Sequence, residues 1–376
     1  MKFYYFDNAA TTCLDNDVLK EMLPYSNIAY GNASSSYKLG RNSKIAIENS
    51  RKKVANVLGA KPNEICFTSG GTESDNTALK GIAHANRFKG NHIITSSIEH
   101  PAILESAKEL EKEGFNVTYL PVNNLGVIDL NQLENAITSS TILISIMFAN
   151  NEIGTIQPIK EIGRIAKKHN IPFHTDAVQA IGNLRINVDE LNIDALSMSA
   201  HKFYGPKGIG ALYVRETVDF DRFMSGGHQE RNMRAGTENI AGIVGLGTAI
   251  DLAYKNLEAH NKKIKYLRDY FLNNITKEFP NIKINGSMKN RLPGNANISF
   301  RNVQGSKLLK TLDEVGIYAS AGSACSAGIT RLSHVLEAIG MPEEYSHNSL
   351  RVTIGKNNTK EEVDFLIYSL RNILRS

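Results

Sequence analysis

The pattern of apolar and polar positions divides residues 60–215 into short apolar runs that alternate with amphipathic segments. The segments between the runs, such as PAILESAKELEKEG and IKEIGRIAKKH, repeat apolar residues at three- and four-residue spacing, which is typical of helices with one buried face. Alternation of strands and helices predicts a mostly parallel sheet that is covered by helices on both faces. The runs with the length and composition of strands are EICF, NHIITS, NVTYLPV, TILISIMFA, IPFHTDA, DALSMS and GIGALYV.

A different pattern follows this region. After the loop SGGHQERNMRAGTEN comes one long helical pattern, IAGIVGLGTAIDLAYKNLEAHNKKIKYLRDYFLNNI, and strand-like segments such as ANISF and LRVTIG lie further on. We therefore expect a second domain over roughly residues 260–376. The first residues of the chain are too few to form a domain of their own, and the pattern leaves open which of the two domains they belong to.

The composition of the chain mainly excludes certain classes of protein and of binding site. The chain has 376 residues, of which 41% are hydrophobic and 22% charged, as in ordinary globular proteins. The net charge of +5 is not gathered into a basic stripe, so a primary role in nucleic-acid binding is not expected. Cys13, Cys66 and Cys325 are too few and too scattered for a disulfide framework or a cysteine metal site. With no apolar signal core and no stretch of membrane-spanning length, we expect a cytoplasmic protein without a metal site.

The stretch SMSAHKFYGPKG carries two lysines near the end of a predicted strand. Lys202 directly follows DALSMSA, so it should emerge at the carboxyl end of that strand, where α/β enzymes place their chemistry. Lys207 lies in a Pro-Lys-Gly turn, where a solvated lysine is ordinary. Lys202 is therefore the candidate functional lysine.

The segment FTSGGTESDN reads as a strand end, a turn of small residues and a helix start. Thr72 and Asp75 have the spacing of a capping box, which predicts that the helix begins there. Gly70 and Gly71 would leave the backbone N–H groups of this N-terminus open to an anion. A plain tight turn is the alternative, and a nucleotide P-loop is excluded because no Gly-Lys-Ser/Thr follows.

Further candidates stand at the ends of predicted elements. His100 precedes Pro101 at a helix start, where a histidine is usually a cap or a core residue. Asp176 ends a strand in HTDAVQ, and a buried carboxylate there requires a partner. Cys325 lies in ASAGSACSAG, among small residues that could carry a thiol to a substrate, although free cysteines are usually inert. Cys66 lies inside a strand and is expected to be buried.

Taken together, these residues match the needs of one cofactor, pyridoxal phosphate (PLP). PLP requires a lysine amine, an aspartate at its ring nitrogen, an aromatic side chain on its ring and a helix N-terminus for its phosphate. The candidates for these four functions are Lys202, Asp176, His100 and the turn at Thr72, all at the ends of predicted parallel strands.

The chain resembles the NifS/IscS-type cysteine desulfurases, which are PLP enzymes of the class V aminotransferase family. The motifs that carry the resemblance cover nearly the whole chain and occur in the order found in that family: YFDNAATT, FTSGGTESDN, EHPAIL, ANNEIGTIQPI, HTDAVQAIG, SAHKFYGPKGIG, GGHQERNMRAGTEN, SAGSAC and SLRVTIGK. The resemblance implies an α/β fold of the PLP-dependent transferase (aspartate aminotransferase-like) type. It further implies a large domain over residues 16–258 with a mostly parallel seven-stranded sheet. A smaller α+β domain would comprise residues 1–15 and 259–376, with the catalytic cysteine loop.

The same resemblance assigns roles to residues of this sequence. Lys202 would be the Schiff-base lysine, Asp176 would pair with the pyridine nitrogen, and His100 would stack on the ring and shuttle protons. Thr237 would reach the phosphate from the other subunit, which implies a homodimer. The complete set of residues implied to bind the cofactor is Gly71, Thr72, His100, Asn151, Asp176, Gln179, Ser199, His201, Lys202 and Thr237.

The remaining implied roles concern the substrate, L-cysteine. Asn151 and Arg351 would grip its carboxylate, a task suited to the forked guanidinium. Lys202, Cys325 and His100 would be the catalytic residues, with Cys325 receiving the sulfur as a persulfide. The sulfur would then pass to an acceptor protein, such as an iron–sulfur scaffold or a tRNA-thiolation protein, and L-alanine would be released.

Two related activities stay open as alternatives at this point, selenocysteine lyase and cysteine-sulfinate desulfinase. A non-catalytic scaffold protein is disfavoured because it would have lost Lys202 or Cys325. The sequence also departs from the family pattern at four positions, which bear on the identity of the sulfur acceptor: Ala33, Tyr37, Arg331 and Leu332.

Overall fold

The computed structural model describes residues 3–301, 303, 305–321, 333–346 and 348–375. Its strands are β1 (Tyr4–Tyr5), β2 (Ile65–Thr68), β3 (His92–Ser96), β4 (Asn116–Leu120), β5 (Thr141–Ser145), β6 (Phe173–Asp176), β7 (Ala195–Ser199), β8 (Gly210–Val214), β9 (Ile282–Ile284), β10 (Asn295–Phe300), β11 (Ile317–Tyr318) and β12 (Ser349–Thr353). Its α-helices are α1 (Asn16–Met22), α2 (Pro24–Asn27), α3 (Lys38–Leu58), α4 (Gly71–Ala85), α5 (Pro101–Lys112), α6 (Leu130–Ala136), α7 (Ile159–Lys168), α8 (Ile240–Lys255), α9 (Leu257–Glu278), α10 (Gly305–Glu314), α11 (His334–Ala338), α12 (Glu343–Ser346) and α13 (Lys360–Arg375).

Seven strands form one sheet in the order β2-β8-β7-β6-β5-β3-β4. Strand β8 runs antiparallel to both of its neighbours, and the other strands run parallel to one another. All seven strands predicted from the apolar runs are present, and the mostly parallel sheet is confirmed. Because β2, β3, β5, β6 and β7 point the same way, the loops after them meet at one edge of the sheet.

Helices cover both faces of this sheet, as the amphipathic spacing predicts. Adjacent residues Ile93 and Ile94 of β3 are both fully buried but belong to different apolar clusters. Ile94 shares its cluster with residues of α3, α7 and α8, whereas Ile93 shares its cluster with residues of α4 and α5. The alternation of side chains along a strand therefore divides the core between the two faces.

The predicted long helix consists of two helices, α8 and α9, which are separated at Asn256. Beyond it, β9, β10 and β12 form an antiparallel sheet, and β1 pairs with β11. A separate apolar cluster joins Phe6 to residues of α9, α10 and α13. We therefore propose the division into a large domain of residues 16–258 and a small domain of residues 1–15 and 259–376. Within the described part of the chain, every helix is too short or too polar to span a membrane.

Candidate active site

The loops at the carboxyl edge of the large sheet line a single pocket. Nine of the predicted site residues lie together there: Gly71, Thr72, His100, Asn151, Asp176, Gln179, Ser199, His201 and Lys202. Asp75, Met147 and Val178 complete the lining. Residues that are far apart in the sequence meet here because parallel strands bring their carboxyl ends to the same edge.

Lys202 lies in a short 3-10 turn, Ala200–Lys202, that directly follows β7. Its Nζ donates hydrogen bonds to the carbonyl oxygens of Ala9 at 2.6 Å and Ala10 at 2.7 Å. Burial, together with the positive charge of Arg351, lowers the pKa of Lys202 to about 8, so a substantial fraction of the amine is neutral near physiological pH. Lys207 is exposed in the following turn, as predicted.

Asp176 is the last residue of β6 and is buried. Its Oδ1 accepts a hydrogen bond from the backbone N–H of Val178 at 2.9 Å. Burial raises the pKa of Asp176, while the neighbouring His100 and Lys202 oppose the rise. A buried carboxylate is stable only with such partners, and a protonated pyridine nitrogen is a partner of the required kind.

A second buried carboxyl, that of Asp75, also lines the pocket and was not predicted to do so. Burial and the nearby Asp176 raise the pKa of Asp75 well above its ordinary value. Its Oδ1 lies 3.8 Å from His174 Nε2 and has no hydrogen-bond partner among the described residues. His174 is fully buried, and burial lowers its pKa to about 3, so it is neutral and supplies no counter-charge.

His100 acts both as a helix cap and as a pocket residue. Its Nδ1 accepts a hydrogen bond from the backbone N–H of Ala102 at 3.1 Å, at the start of α5. Burial lowers the pKa of His100, so the ring is neutral at physiological pH and carries its proton on Nε2. The cap thus fixes the orientation of the ring and leaves a donor for the pocket.

The helix after the Gly-Gly turn begins two residues earlier than the predicted capping box requires. Helix α4 begins at Gly71 with Gly70 as its N-cap, so Thr72 and Asp75 lie inside the helix and the predicted box is wrong. Instead, Glu73 reaches back, and its Oε2 accepts a hydrogen bond from the N–H of Ser69 at 2.8 Å. The Gly-Gly pair allows the helix to start at Gly71, because no side chain competes for the space at the turn.

The first residues of the chain form another wall of the site. Gln179 Nε2 donates to the carbonyl oxygen of Ala9 at 3.0 Å, and His201 Nδ1 lies 3.1 Å from Thr11 Oγ1. Burial, together with Lys202 and Lys207, lowers the pKa of His201 to about 4, so its ring is neutral. The YFDNAATT motif therefore orients pocket side chains mainly through its backbone.

Arg351 lies on β12 with its side chain 3% exposed. Its Nη1 donates to the carbonyl oxygen of Asn151 at 3.1 Å, and its Nη2 donates to Asp7 Oδ1 at 2.7 Å. Its Nε is buried and has no hydrogen-bond partner among the described residues. A buried guanidinium with one N–H that lacks a partner, beside the pocket residue Asn151, is suited to a carboxylate ligand.

Thr237 is a predicted site residue that does not line the Lys202 pocket. It is exposed and lines a separate depression with Thr68, Ser69 and Arg234. Arg234 Nε donates to Glu73 Oε1 at 2.9 Å, which ties the loop of Thr237 to the first turn of α4.

The same loop is anchored through Glu230. Its carboxylate accepts hydrogen bonds from Arg51 Nη1 and Nη2 at 2.7 and 2.8 Å and from the N–H of Phe67 at 2.7 Å. Glu230, Arg231 and Asn232 all have positive φ angles, of 45°, 56° and 69°. Such a backbone is strained for residues with side chains, and the buried ion pair stabilises it.

Cys325, Arg331 and Leu332 lie outside the described residues. Of the other two departures from the family pattern, Ala33 packs in the main apolar cluster, and Tyr37 is exposed at the N-cap of α3. Cys66 is buried in β2 as predicted, and burial raises the pKa of its thiol. Cys13 is exposed.

The pocket fits PLP by the chemistry of its side chains and by its shape. It combines an amine of lowered pKa, a buried carboxylate and a neutral imidazole. A Cβ at Gly71 would lie 2.7 Å from Val178 Cγ2 and 3.6 Å from Ser199 Cβ, so any side chain there would intrude into the space at the N-terminus of α4. This helix has 15 residues, and its N-terminus attracts an anion such as a phosphate.

Sequence reasoning missed several residues around the pocket. Met147 and Val178 are apolar lining residues, and nothing in the sequence around them indicates a pocket. The spacing of Asp75 from Thr72 predicts a helix cap instead. Asp7 lies in a motif that was recognised, but its pairing with Arg351 joins residues 344 positions apart. The available signal for Asp7 is that it is the one charged residue in the stretch FYYFDNAA.

Comparisons with known proteins agree with this geometry. The Aminotransferase class-V family profile matches residues 4–366. A cysteine desulfurase IscS from Clostridium botulinum is 53% identical over 376 residues, which cover 100% of this chain and 95% of that protein. A solved NifS-like protein superposes with a TM-score of 0.94 at 40% identity and 100% coverage of both chains. The solved structure of SspA in complex with cysteine gives a TM-score of 0.84 at 39% identity, covering 95% of this chain and 100% of that one.

The fold and the pocket are those of a PLP-dependent enzyme of the transferase type. The chain belongs to the class V aminotransferase family and, within it, to the NifS/IscS-type cysteine desulfurases.

Proposed function

We propose that the protein converts L-cysteine to L-alanine and transfers the sulfur to the thiol of Cys325. The observation that carries this proposal is the single pocket that unites Lys202, Asp176 and His100 beside the buried Arg351. The overall change is balanced, since L-cysteine and a thiol give L-alanine and a persulfide. The substrate C–S bond breaks, and an S–S bond to Cys325 forms.

PLP would lie between His100 and the strand ends, with its phosphate at the N-terminus of α4. Thr72, Ser199 and His201 would bind the phosphate, and Asp176 would bind the ring nitrogen. When bound, PLP provides an electron sink that makes the Cα proton acidic and the C–S bond breakable. Gln179 would bind near the phenolic oxygen of the cofactor, where its hydrogen bond to Ala9 fixes its amide.

Arg351 and Asn151 would hold the substrate carboxylate. The guanidinium is almost fully buried and offers an unpartnered Nε, while its other donors fix it to Asn151 and Asp7. A charge-assisted bond in such a dry site orients the substrate strongly. Orientation of this kind directs the Cα proton toward Lys202.

Lys202 would move the Cα proton, and His100 would handle the proton near sulfur. The lowered pKa of Lys202, about 8, gives a neutral amine that can act as a base. The carbonyl oxygens of Ala9 and Ala10 hold this amine at the wall of the pocket. His100 is neutral and offers an N–H at Nε2, so it is suited to donate a hydrogen bond to a group near the sulfur.

The sulfur on Cys325 would pass to an acceptor protein in iron–sulfur cluster assembly or tRNA thiolation. The IscS name of the Clostridium botulinum relative supports the former. We propose a cytoplasmic location, since the cysteines that the structure describes, Cys13 and Cys66, are free thiols, as expected in a reducing compartment.

The proposed reaction is tested by incubating the purified protein with L-cysteine and measuring alanine and sulfide together with the mass of the Cys325 peptide. We expect one added sulfur on that peptide and alanine in equal amount to the sulfur released. Cys325→Ala should keep the absorption of bound PLP but form almost no alanine, whereas Cys13→Ala should behave as the parent protein. Full turnover by Cys325→Ala would refute the assignment. Faster turnover of selenocysteine or cysteine sulfinate would instead identify one of the related activities.

We further propose a homodimer in which Thr237 completes the phosphate site of the other subunit. Its exposure and its separation from the Lys202 pocket support this proposal. Inactive Lys202→Ala and Thr237→Ala subunits are mixed under conditions of confirmed exchange. One site of the mixed dimer should then carry neither change, so activity partly returns. No recovery would assign Thr237 to its own subunit.

A further inference from the structure

The buried guanidinium of Arg351 is paired with a carboxylate of the protein itself, that of Asp7. Asp7 Oδ1 accepts a hydrogen bond from Arg351 Nη2 at 2.7 Å, and the two side chains are 20% and 3% exposed, respectively. The Arg351 Nη1 is occupied by the carbonyl oxygen of Asn151. Only the buried Nε is without a partner among the described residues.

The position of Asp7 is set by the backbone. Asp7 forms a parallel β-bridge with Thr353, two residues after Arg351 on β12. Thr353 also bonds to both neighbours of Asp7, because its N–H donates to the carbonyl oxygen of Phe6 at 2.7 Å and its carbonyl oxygen accepts from Asn8 Nδ2 at 2.7 Å. The backbone of Asp7 is therefore fixed against β12, within reach of the Arg351 guanidinium.

A buried cation needs a counter-charge, and Asp7 supplies it in the free protein. When the carboxylate of a substrate binds to the same guanidinium, two like charges share one cation. Like charges a few ångströms apart repel in a site of low water content. The resident carboxylate therefore opposes the incoming one.

We propose that Asp7 is a specificity-determining residue, a resident counter-ion that sets how tightly the site binds carboxylates at Arg351. This inference rests on the proposed function only in identifying Arg351 as the carboxylate site. Asp7 keeps the guanidinium oriented and neutralised between turnovers and weakens the grip on both substrate and product carboxylates. Weaker binding of the product favours its release.

The test is calorimetric titration of the PLP-loaded protein with 3-mercaptopropionate, which has the thiol and carboxylate of cysteine but lacks the amine. Asp7→Asn keeps the size and the hydrogen-bond acceptor while removing the charge. We expect this variant to bind 3-mercaptopropionate about tenfold more tightly than the parent protein. The affinity for 3-mercaptopropionamide, which has no charge, should be unchanged.

Asp219→Asn is the matched control, because Asp219 forms an exposed ion pair with Lys89 and also loses one negative charge. It should bind both compounds as the parent protein does. In an Arg351→Gln background, Asp7→Asn should no longer increase the affinity for the carboxylate. Unchanged or weaker binding of 3-mercaptopropionate by Asp7→Asn would overturn the inference.

A second variant, Asp7→Ser, covers the case in which Asp7→Asn fails to fold, and the same gain in affinity is expected from it. The titration requires no turnover, so its result is separable from the proposed reaction. A protein that forms alanine but shows no effect of Asp7 refutes this inference alone. A protein that forms no alanine but shows the effect refutes the proposed reaction alone.

Discussion

Ser333 and Glu152, 181 positions apart in the sequence, are joined by a hydrogen bond of 2.5 Å from Ser333 Oγ to Glu152 Oε2. Both residues are buried. The next residue, His334, has its Nε2 3.0 Å from the carbonyl oxygen of Glu99. Glu152 follows Asn151 and Glu99 precedes His100, so the segment after residues 322–332 is fixed to two loops that carry pocket residues.

Ser333→Ala should slow sulfur transfer while leaving PLP binding intact. The change leaves the buried Glu152 without its donor, at a cost of about 1–3 kcal/mol in the free energy of unfolding. It also removes an anchor on the carboxyl side of the segment that contains Cys325, so alanine formation should fall by about tenfold. Urea unfolding and single-turnover alanine formation measure the two effects.

Ser139→Ala, at an exposed turn position, is the matched control and should change neither quantity. Loss of the PLP absorption in Ser333→Ala would contradict the prediction, because it would mean that the whole pocket depends on this bond.

Uptake of PLP by cofactor-free protein should accelerate as pH rises through about 8. In the role proposed for Lys202, its neutral amine would be the form that binds the cofactor, and the pKa of Lys202 is lowered to about 8, first by burial and second by Arg351. The neutral fraction is therefore one half at that pH, still rises above it and levels off only well above it. Stopped-flow absorbance at a series of pH values measures the midpoint.

Arg351→Gln removes one positive neighbour of Lys202 and should move this midpoint upward, whereas Lys207→Ala should leave it unchanged. A midpoint near the ordinary lysine value of 10.5 in the parent protein would show that the amine is not perturbed.

The stability of the protein should contain a pH-dependent contribution from Glu99. Burial raises the pKa of Glu99 from 4.5 to about 8, while Ser96 and the N–H of Met147 donate to its carboxyl group. The folded state thus keeps a proton that the unfolded state has lost. The contribution of Glu99 to the free energy of unfolding therefore falls as pH rises from about 4.5 to about 8, by a few kcal/mol, and is constant outside that window.

The side chain of Glu99→Gln cannot titrate. As pH rises, the free energy of unfolding of this variant should therefore increase relative to that of the parent protein. Denaturant unfolding at several pH values measures it, with Glu105→Gln, a change at an exposed glutamate, as the control. A constant difference for Glu99→Gln would mean that Glu99 is ionised in the folded protein.

Breaking the buried pair between Arg51 and Glu230 should destabilise the protein strongly. Their side chains are 3% and 4% exposed, and Arg51→Met leaves a buried, unpaired carboxylate. We expect a loss of about 3–5 kcal/mol, whereas Arg185→Met, which breaks an exposed pair with Glu258, should cost about 1 kcal/mol or less. Guanidinium chloride unfolding distinguishes the two.

The double change Arg51→Met with Glu230→Met should restore part of the lost stability, because no unpaired charge remains. Equal losses in the single and double variants would instead indicate that packing, and not charge, dominates at this position.

Sequence patterns predicted the large sheet and most of the pocket, because both depend on short segments of the chain: the strands and the residues that directly follow them. Apolar runs identified all seven strands, and the residues that follow parallel strands necessarily meet at one edge. The long helical pattern did not reveal the break at Asn256, since the residues around it favour a helix on either side. The spacing of Thr72 and Asp75 suggested a cap, but two adjacent glycines allowed the helix to begin earlier.

The features that the sequence did not predict are contacts between distant residues. Asp7 with Arg351, Glu152 with Ser333 and the Lys202 amine with the Ala9 carbonyl join positions 344, 181 and 193 residues apart, respectively. No local periodicity specifies such pairs, because each depends on how complete elements pack against one another.

The wall formed by the first residues of the chain has a consequence for biosynthesis. The YFDNAATT segment leaves the ribosome well before its partners β11 and β12 have been made. At ordinary translation rates of about 5–20 residues per second, this segment waits tens of seconds for them. The nascent protein therefore brings Arg351 and Asp7 together only after β12 has been made, and the carboxylate site proposed at Arg351 is complete only from that point.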